Sequence, residues 1–284
     1  MNNLPSESTL EVVAKALCEK FGFIYVAYID AGKFKETYHV IRDKTDLALK
    51  ICKPEGVSER TSREIDAMRK FDNPNIVKLH DIGTFFHGGI SYIFLLEEFL
   101  YGGSLSKAIE TTPLSMESLK QVSLQMVDAL IDLKHVGIVH RDIKPDNIMF
   151  RDIEKTQAVL VDFGLVRILA QDSLTQTFFM RGPGTPMFAS PEQLNNEKEL
   201  IDWRSDQFSL GVTLYYAYYK RLPFSEDIAK HVDAVAMRQK LPKDISQKLS
   251  ADGLSPLTKM LARYPVERYV NPAILQEELR RVVC

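Results

Sequence analysis

The strongest constraint on the fold is a change of hydrophobic period along the chain. In the first third, apolar residues form short β-rich runs separated by polar turns, and we predict strands at 23–29, 37–41, 47–52, 76–85 and 91–99. After Gly102-Gly103 the leucines, valines and methionines recur every three or four residues, most clearly over 116–136. A strand-rich part joined to a helix-rich part predicts an α+β protein of two lobes with a cleft between them.

The predicted lobes meet near residue 98. The N-terminal lobe, 1–98, contains a small antiparallel sheet, a helix at 8–20 and one main helix at 58–71, each with apolar residues at helical spacing. The C-terminal lobe, 99–284, is larger and mostly helical, with short strands at 148–151 and 158–161. We see neither an internal repeat nor an additional domain.

Composition excludes several classes of protein. Hydrophobic residues make up 45% of the 284 residues and charged residues 26%, as in an ordinary globular protein. The net charge of -2 offers no general attraction to nucleic acid or to an anionic membrane, and we expect neither partner. The three cysteines lack metal-binding spacing, and the N-terminus lacks a signal-peptide pattern. We therefore expect a cytoplasmic protein.

The clearest chemical motif begins at His140-Arg141-Asp142 and ends at Asn147, with Asp162-Phe163-Gly164 following. It resembles the catalytic loop and the magnesium motif of the protein-kinase family. Moving a phosphoryl group to an alcohol requires neutralised phosphate charge and an aligned hydroxyl. The resemblance implies that Asp142 is the catalytic base, and that Asn147 and Asp162 bind Mg²⁺ through hard oxygen atoms.

A second match lies on the predicted strand 47–52. Leu47-Ala48-Leu49-Lys50 resembles the V-A-I-K strand of the family, which implies that Lys50 contacts the ATP phosphates. The resemblance also implies an ion pair between Lys50 and a helical glutamate, for which Glu64 fits better than Glu59. The glycine-rich loop departs from the family, because only Gly32 remains of its three glycines.

The segment Glu97-Glu98-Phe99-Leu100 resembles the hinge of the family. The resemblance implies that the main chain at Glu98 and Leu100 binds adenine, with Ala48, Leu100 and Met149 around the ring. For these three side chains, ordinary core packing is an equally good interpretation. Glu97 takes the gatekeeper place, which the family more often fills with an apolar residue.

The segment from Gly184 to Glu192 is similar to the end of the activation segment of the family. Lys144 and Thr185 match catalytic residues of its serine/threonine branch, in the bacterial, eukaryotic-like form. The resemblance further implies that Asp206 anchors the catalytic loop and that Arg268 pairs with Glu192. The predicted fold is therefore the bilobal kinase fold.

These matches imply a serine/threonine protein kinase that transfers the ATP γ-phosphoryl group to protein hydroxyls, with ATP and Mg²⁺ bound. Autophosphorylation is expected, and a phosphorylation switch is expected at Thr175 or Thr177, with Ser173 as the next candidate, Arg141 as the phosphate-binding partner and Arg167 as a second one. Two alternatives remain open. The altered glycine loop is compatible with a non-catalytic pseudokinase, and small-molecule phosphotransferases of related fold share the base and the magnesium ligands.

Overall fold

A computed structural model describes residues 9–32, 35–52, 72–162 and 186–283. They divide into two compact units. The first contains the described residues up to 72 together with 77–100. The second contains 73–76, 101–162 and 186–283.

The first unit is built on a five-stranded antiparallel sheet, in the order β1-β2-β3-β5-β4. Its strands are β1 Ile24–Ala31, β2 Lys35–Arg42, β3 Thr45–Cys52, β4 Leu79–His87 and β5 Ile90–Glu98. All five predicted strands exist. The fourth begins later than predicted because Ile76 belongs to the second unit, where it forms a parallel bridge with Leu160.

One face of this sheet is covered by helix α1, Thr9–Phe21. The apolar side chains of α1 recur at helical spacing, so Val13 and Leu17 are buried against alternate residues of the strands, such as Leu49 and Leu96. Because strand side chains alternate between faces, Ala48 and Lys50 lie on the face opposite to α1. The helix and the sheet thus form one hydrophobic core.

The Gly102-Gly103 break lies where the chain enters the main part of the second unit, which starts at Tyr101. A Cβ at Gly102 would lie 2.1 Å from the carbonyl oxygen of Asp152, and Gly103 has φ of +72°. Neither position accepts an ordinary side chain without strain. Strand β6, Gly103–Ser104, pairs with β7, Ile148–Phe150, and β7 pairs with β8, Ala158–Leu160.

Helices make up most of the rest of the second unit. Those described are α2 Leu105–Ala108, α3 Met116–His135, α4 Pro191–Leu194, α5 Trp203–Tyr219, α6 Ile228–Ala236, α7 Lys243–Ala251, α8 Ser255–Met260 and α9 Pro272–Arg280. Short 3₁₀ helices occur at Pro145–Asn147, Pro186–Phe188, Lys198–Leu200 and Pro265–Glu267. No helix within the described ranges is long and apolar enough to span a membrane.

Helix α3 shows how local sequence sets the limits of these elements. The Ser115 hydroxyl accepts the amide hydrogen of Ser118 at 3.1 Å and caps the first turn. Gly137, with φ of +72°, follows the last turn in the left-handed conformation common after helices. Between these ends, residues at three- and four-residue spacing, including Leu119, Met126 and Leu133, are buried. The helix predicted at 116–136 is confirmed.

Candidate active site

The first unit carries a buried ion pair on the sheet face opposite to α1. The Nζ atom of Lys50 on β3 lies 2.5 Å from Oε2 of Glu97 on β5, and the two side chains are 9% and 4% exposed. The pairing of the strands places Ala48 opposite Glu97 and Lys50 opposite Leu95, so Lys50 and Glu97 are diagonal neighbours on one face. Sequence reasoning missed this contact.

The partner that the sequence predicts for Lys50 is Glu64, which lies outside the described residues. That ion pair stays a prediction. The available signal for Glu97 was an acidic residue at a position that the family more often fills with an apolar one. The contact with Lys50 itself could not be predicted, because it depends on the register of β3 against β5.

The segment predicted to be the hinge is fixed to the edge of the sheet. The amide of Glu98 donates to the carbonyl oxygen of Lys78 at 3.0 Å, and the Glu98 carboxylate accepts the Lys78 amide hydrogen at 2.9 Å. Leu100 is buried and Ala48 is partly buried. Their predicted contacts with adenine, together with that of Met149 on β7, stay predictions.

Two hydrogen bonds are described at the end of β1, where the predicted glycine-rich loop begins. The amide of Gly32 donates to the carbonyl oxygen of Lys35 at 2.9 Å, and the Asp30 carboxylate accepts the Ala31 amide hydrogen at 2.8 Å. Gly32 does not adopt a positive φ, and among the described atoms the nearest to a Cβ there would be the carbonyl oxygen of Lys35 at 3.7 Å. Neither its φ nor its described surroundings therefore require glycine, and close approach of a phosphate stays the predicted reason for Gly32.

In the second unit, the loop after α3 is anchored by Asp206 on α5. The Asp206 carboxylate accepts the amide hydrogens of His140 at 2.7 Å and Arg141 at 2.8 Å. Arg141 has φ of +65°, a strained conformation that these hydrogen bonds help to hold. Burial raises the pKa of Asp206 to about 7, although the two amides oppose the shift. The predicted anchoring role is confirmed.

Three of the predicted catalytic side chains contact one another directly. The Asn147 side-chain amide donates to the carbonyl oxygen of Asp142 at 2.7 Å and to its Oδ2 atom at 3.0 Å. The Lys144 ammonium lies 3.2 Å from the same Oδ2 atom. The Pro145–Asn147 3₁₀ turn brings Asn147 back to Asp142. An oriented carboxylate beside an ammonium is suited to accepting a proton next to a transferred anion.

Asn147 and Asp162 lie at the same end of two paired strands. Ile148 on β7 pairs with Leu160 on β8, and the Val161 amide donates to the carbonyl oxygen of Asn147 at 2.9 Å. Because the Asn147 nitrogen donates to Asp142, its side-chain oxygen is the atom suited to a cation. One amide oxygen and one carboxylate fit Mg²⁺, which takes its remaining ligands from phosphates and water.

A fully buried ion pair joins Arg268 to Glu192 on α4. Arg268 Nη1 lies 2.6 Å from Oε1 of Glu192, which also accepts the Ser205 hydroxyl hydrogen at 2.6 Å. Burial alone would raise the pKa of Glu192, but the Arg268 guanidinium and the Ser205 hydroxyl lower it overall. The pair predicted between Arg268 and Glu192 is confirmed.

Gln193, which sequence reasoning missed, links this region to the loop that carries Asp142. Its side-chain amide donates to the carbonyl oxygen of Arg141 at 2.9 Å, while its oxygen accepts the amide and hydroxyl hydrogens of Ser190. The spacing of Ser190 and Gln193 is that of a capping box, a signal that is visible in the sequence. Thr175, Thr177 and Thr185 lie outside the described residues.

A five-stranded antiparallel unit followed by a helical unit with an Asp-Lys-Asn loop is the architecture of an ATP-dependent phosphotransferase of the kinase fold. A family model described as "Protein kinase domain" matches residues 24–279. The chain therefore belongs to the protein kinase family. The fold class predicted from the sequence is confirmed.

Individual relatives indicate which branch of the protein kinase family this chain resembles. A probable myosin light chain kinase of Dictyostelium discoideum is 30% identical over 250 residues, which cover 85% of this chain and 77% of that protein. The serine/threonine-protein kinase PknB of Mycobacterium tuberculosis is 31% identical over 258 residues, covering 86% of this chain but only 40% of PknB. The prediction of a serine/threonine protein kinase similar to bacterial enzymes is confirmed by these relatives.

Among solved structures, Rad53 in complex with AMP-PNP has a TM-score of 0.71 with 21% sequence identity. The match covers 90% of this chain and 64% of that chain. At this identity the likeness establishes the fold. The bound AMP-PNP is a feature of the Rad53 structure.

Proposed function

We propose that this chain transfers the γ-phosphoryl group of ATP to serine and threonine hydroxyls of protein substrates, with Asp142 as the general base. The main support is the Asp142 carboxylate, which is oriented by the Asn147 amide at 3.0 Å and lies 3.2 Å from the Lys144 ammonium. A carboxylate held in this way can accept a hydroxyl proton as the oxygen attacks phosphorus. The bond from the γ-phosphorus to ADP breaks, and the phosphoryl group passes to the substrate oxygen.

The remaining residues of the second unit have supporting roles in this proposal. Lys144 contacts the phosphoryl group and balances the charge that develops beside Asp142. Asn147 and Asp162 hold Mg²⁺, which when bound neutralises phosphate charge. Thr185 braces the base, and the hydrogen bonds from His140 and Arg141 to Asp206 fix the loop that carries Asp142.

The first unit supplies the contacts with nucleotide. Lys50 holds the phosphates, and the main chain at Gly32 approaches them. The main chain at Glu98 and Leu100 binds the adenine edge, and Ala48 on β3 contacts a face of the ring. Each of these roles rests on the family match and on the position of the residue in its strand or turn.

The proposal is tested by the transfer of labelled phosphate. Purified protein would be incubated with MgATP and a cell extract, and phosphosites would be mapped by mass spectrometry. Asp142→Asn is expected to lower turnover about 100- to 10,000-fold, because the base is lost while the size of the side chain is kept. Asp146→Asn is the matched control, since Asp146 lies in the same loop but is exposed. Equal activity of the two variants would refute the role of Asp142.

The same measurement separates this proposal from a pseudokinase. A pseudokinase would bind an ATP analogue but incorporate no phosphate into any protein. We further propose that the parent phosphorylates itself at Thr175 or Thr177, and that Arg141 binds the new phosphate. Peptide mapping would locate that site, and a variant with alanine at both positions should respond little to preincubation with ATP.

A further inference from the structure

We propose that Glu97 is a positioning residue for Lys50, so that a carboxylate from the sheet itself aims the ammonium at the ATP phosphates. The inference rests on the proposed function, since it concerns the nucleotide site of that reaction. The family motif assigns the partnership with Lys50 to a helical glutamate, which here is Glu64. The geometry of β3 and β5 adds a second carboxylate that no motif predicts.

The contact is built into the strand pairing. Successive pairs from Leu47 with Glu98 to Cys52 with Ile93 keep β3 and β5 in one continuous antiparallel register. The side chains of Lys50 and Glu97 leave this ladder on the same face, with only 2.5 Å between Nζ and Oε2. The position of the Lys50 ammonium is thus tied to backbone hydrogen bonds of the central strands.

The surroundings strengthen the interaction. Both side chains are less than 10% exposed, and their partners in the strand pairing are the apolar residues Leu95 and Ala48. Charges attract more strongly where water is excluded, and a buried carboxylate without a partner is unfavourable. An ammonium has three donor hydrogens, so a bond to Glu97 leaves others for phosphate.

The charges also determine which kinetic parameter should change. A negative Glu97 beside Lys50 weakens the attraction of this site for a polyanion, and this opposes the gain in ATP affinity that comes from holding the ammonium in place. Its contribution must be to the direction in which Lys50 points. Glu97→Gln keeps the size of the side chain and removes its charge.

In Glu97→Gln we expect kcat to fall about tenfold or more, because a misdirected Lys50 misplaces the phosphates. The dissociation constant for a non-hydrolysable ATP analogue with Mg²⁺ should stay within about threefold or become tighter. Glu97→Met should likewise lower kcat without weakening binding of the analogue. This second variant shows that the effect does not come from burying an amide group. Glu19→Gln, an exposed change on α1, is the control for loss of a negative charge in this unit.

A double-mutant cycle with Lys50→Met provides a readout that does not depend on catalysis. Glu97→Gln should lower the melting temperature of the parent, but should leave it unchanged or raise it in the Lys50→Met background, where the carboxylate has lost this partner. Equal shifts in both backgrounds would overturn the proposal. So would an unchanged kcat, or a raised KM with normal kcat.

The two proposals fail in different ways. If the parent protein transfers no phosphate, the proposed function is wrong, while the thermal cycle and the titration with the analogue still test the Lys50–Glu97 pair. If the parent is active and the cycle shows no coupling, only the role of Glu97 is refuted.

Discussion

Replacing Arg268 with methionine should destabilise the second unit strongly. The Arg268 guanidinium makes two contacts with the Glu192 carboxylate, at 2.6 and 3.1 Å, and both side chains are fully buried. It also donates to the carbonyl oxygens of Arg204 and Ala262, each at 2.8 Å. Methionine fills much of the same volume but satisfies none of these acceptors, and it leaves a buried carboxylate without its cation.

Removing one partner of a buried ion pair costs about 3–5 kcal/mol, a large part of the roughly 5–15 kcal/mol that stabilises a typical domain. The sign of the pH dependence follows from Glu192. In the parent its pKa is lowered, so the pair contributes stability above the unfolded pKa near 4.5 and loses it as the pH falls through the folded value. In the variant, burial without Arg268 favours the protonated acid. The free energy of unfolding that Arg268→Met loses relative to the parent should therefore be greatest near neutral pH and should shrink toward pH 4.

Urea unfolding monitored by tryptophan fluorescence would measure this deficit, because the chain has a single tryptophan, Trp203, which lies at the start of α5 in the second unit. Arg221→Met is the matched control. Arg221 pairs with Glu226 at 3.2 Å, but these side chains are 58% and 75% exposed, so we expect a change of at most about 1 kcal/mol. A deficit for Arg268→Met no larger than that of the control, or one that grows as the pH falls, would refute the reasoning.

Three further changes test other parts of the molecule. Leu17→Ala should lower the stability of the first unit by about 2–5 kcal/mol, measured by thermal unfolding, because Leu17 is fully buried between α1 and the sheet; no loss would contradict that packing. For Asp206→Asn, the stability advantage of the parent should shrink as the pH rises from 5 to 8. The raised pKa of Asp206, about 7, gives the parent stability that is lost through that range, whereas asparagine does not titrate, and a constant difference would argue against the shift. Gln193→Ala should lower kcat more than it raises the KM for ATP, since it removes the hydrogen bond to Arg141 beside the base; unchanged kinetics would contradict this link.

Local patterns were sufficient to predict the elements and several of the tertiary contacts. The alternation of strand residues, the helical spacing of 116–136 and the Gly102-Gly103 break each depend on neighbouring residues, and each is confirmed. The Asp206 anchor and the Glu192–Arg268 pair were predicted through the family match, which supplies long-range contacts that spacing alone does not contain.

The contacts that escaped prediction depend on pairings between distant parts of the chain. Lys50 and Glu97 are 47 residues apart, and a shift of one residue in the register of β3 against β5 would turn Glu97 to the other face. The sequence pattern predicts that Ile76 begins a strand of the first sheet. In the structure it forms a bridge with Leu160 in the second unit. Hydrophobic period reports that a residue is buried, but not which unit buries it.

The altered glycine loop and the Lys50–Glu97 pair have a common physical consequence. A loop in which only Gly32 remains offers fewer places for backbone amides to approach phosphate, so a larger share of phosphate binding must come from charged groups. An ammonium on a flexible four-carbon chain loses more conformational freedom on binding than a backbone amide does, unless it is already held in place. In the role that we propose, Glu97 holds it through β5, and this makes the direction of Lys50 a property of the sheet rather than of the loop. Restoring glycine at Asp30, which also removes a negative charge from the loop, should therefore lower the KM for ATP without relieving the kcat defect of Glu97→Gln, and relief of that defect would show that the loop directs Lys50 instead.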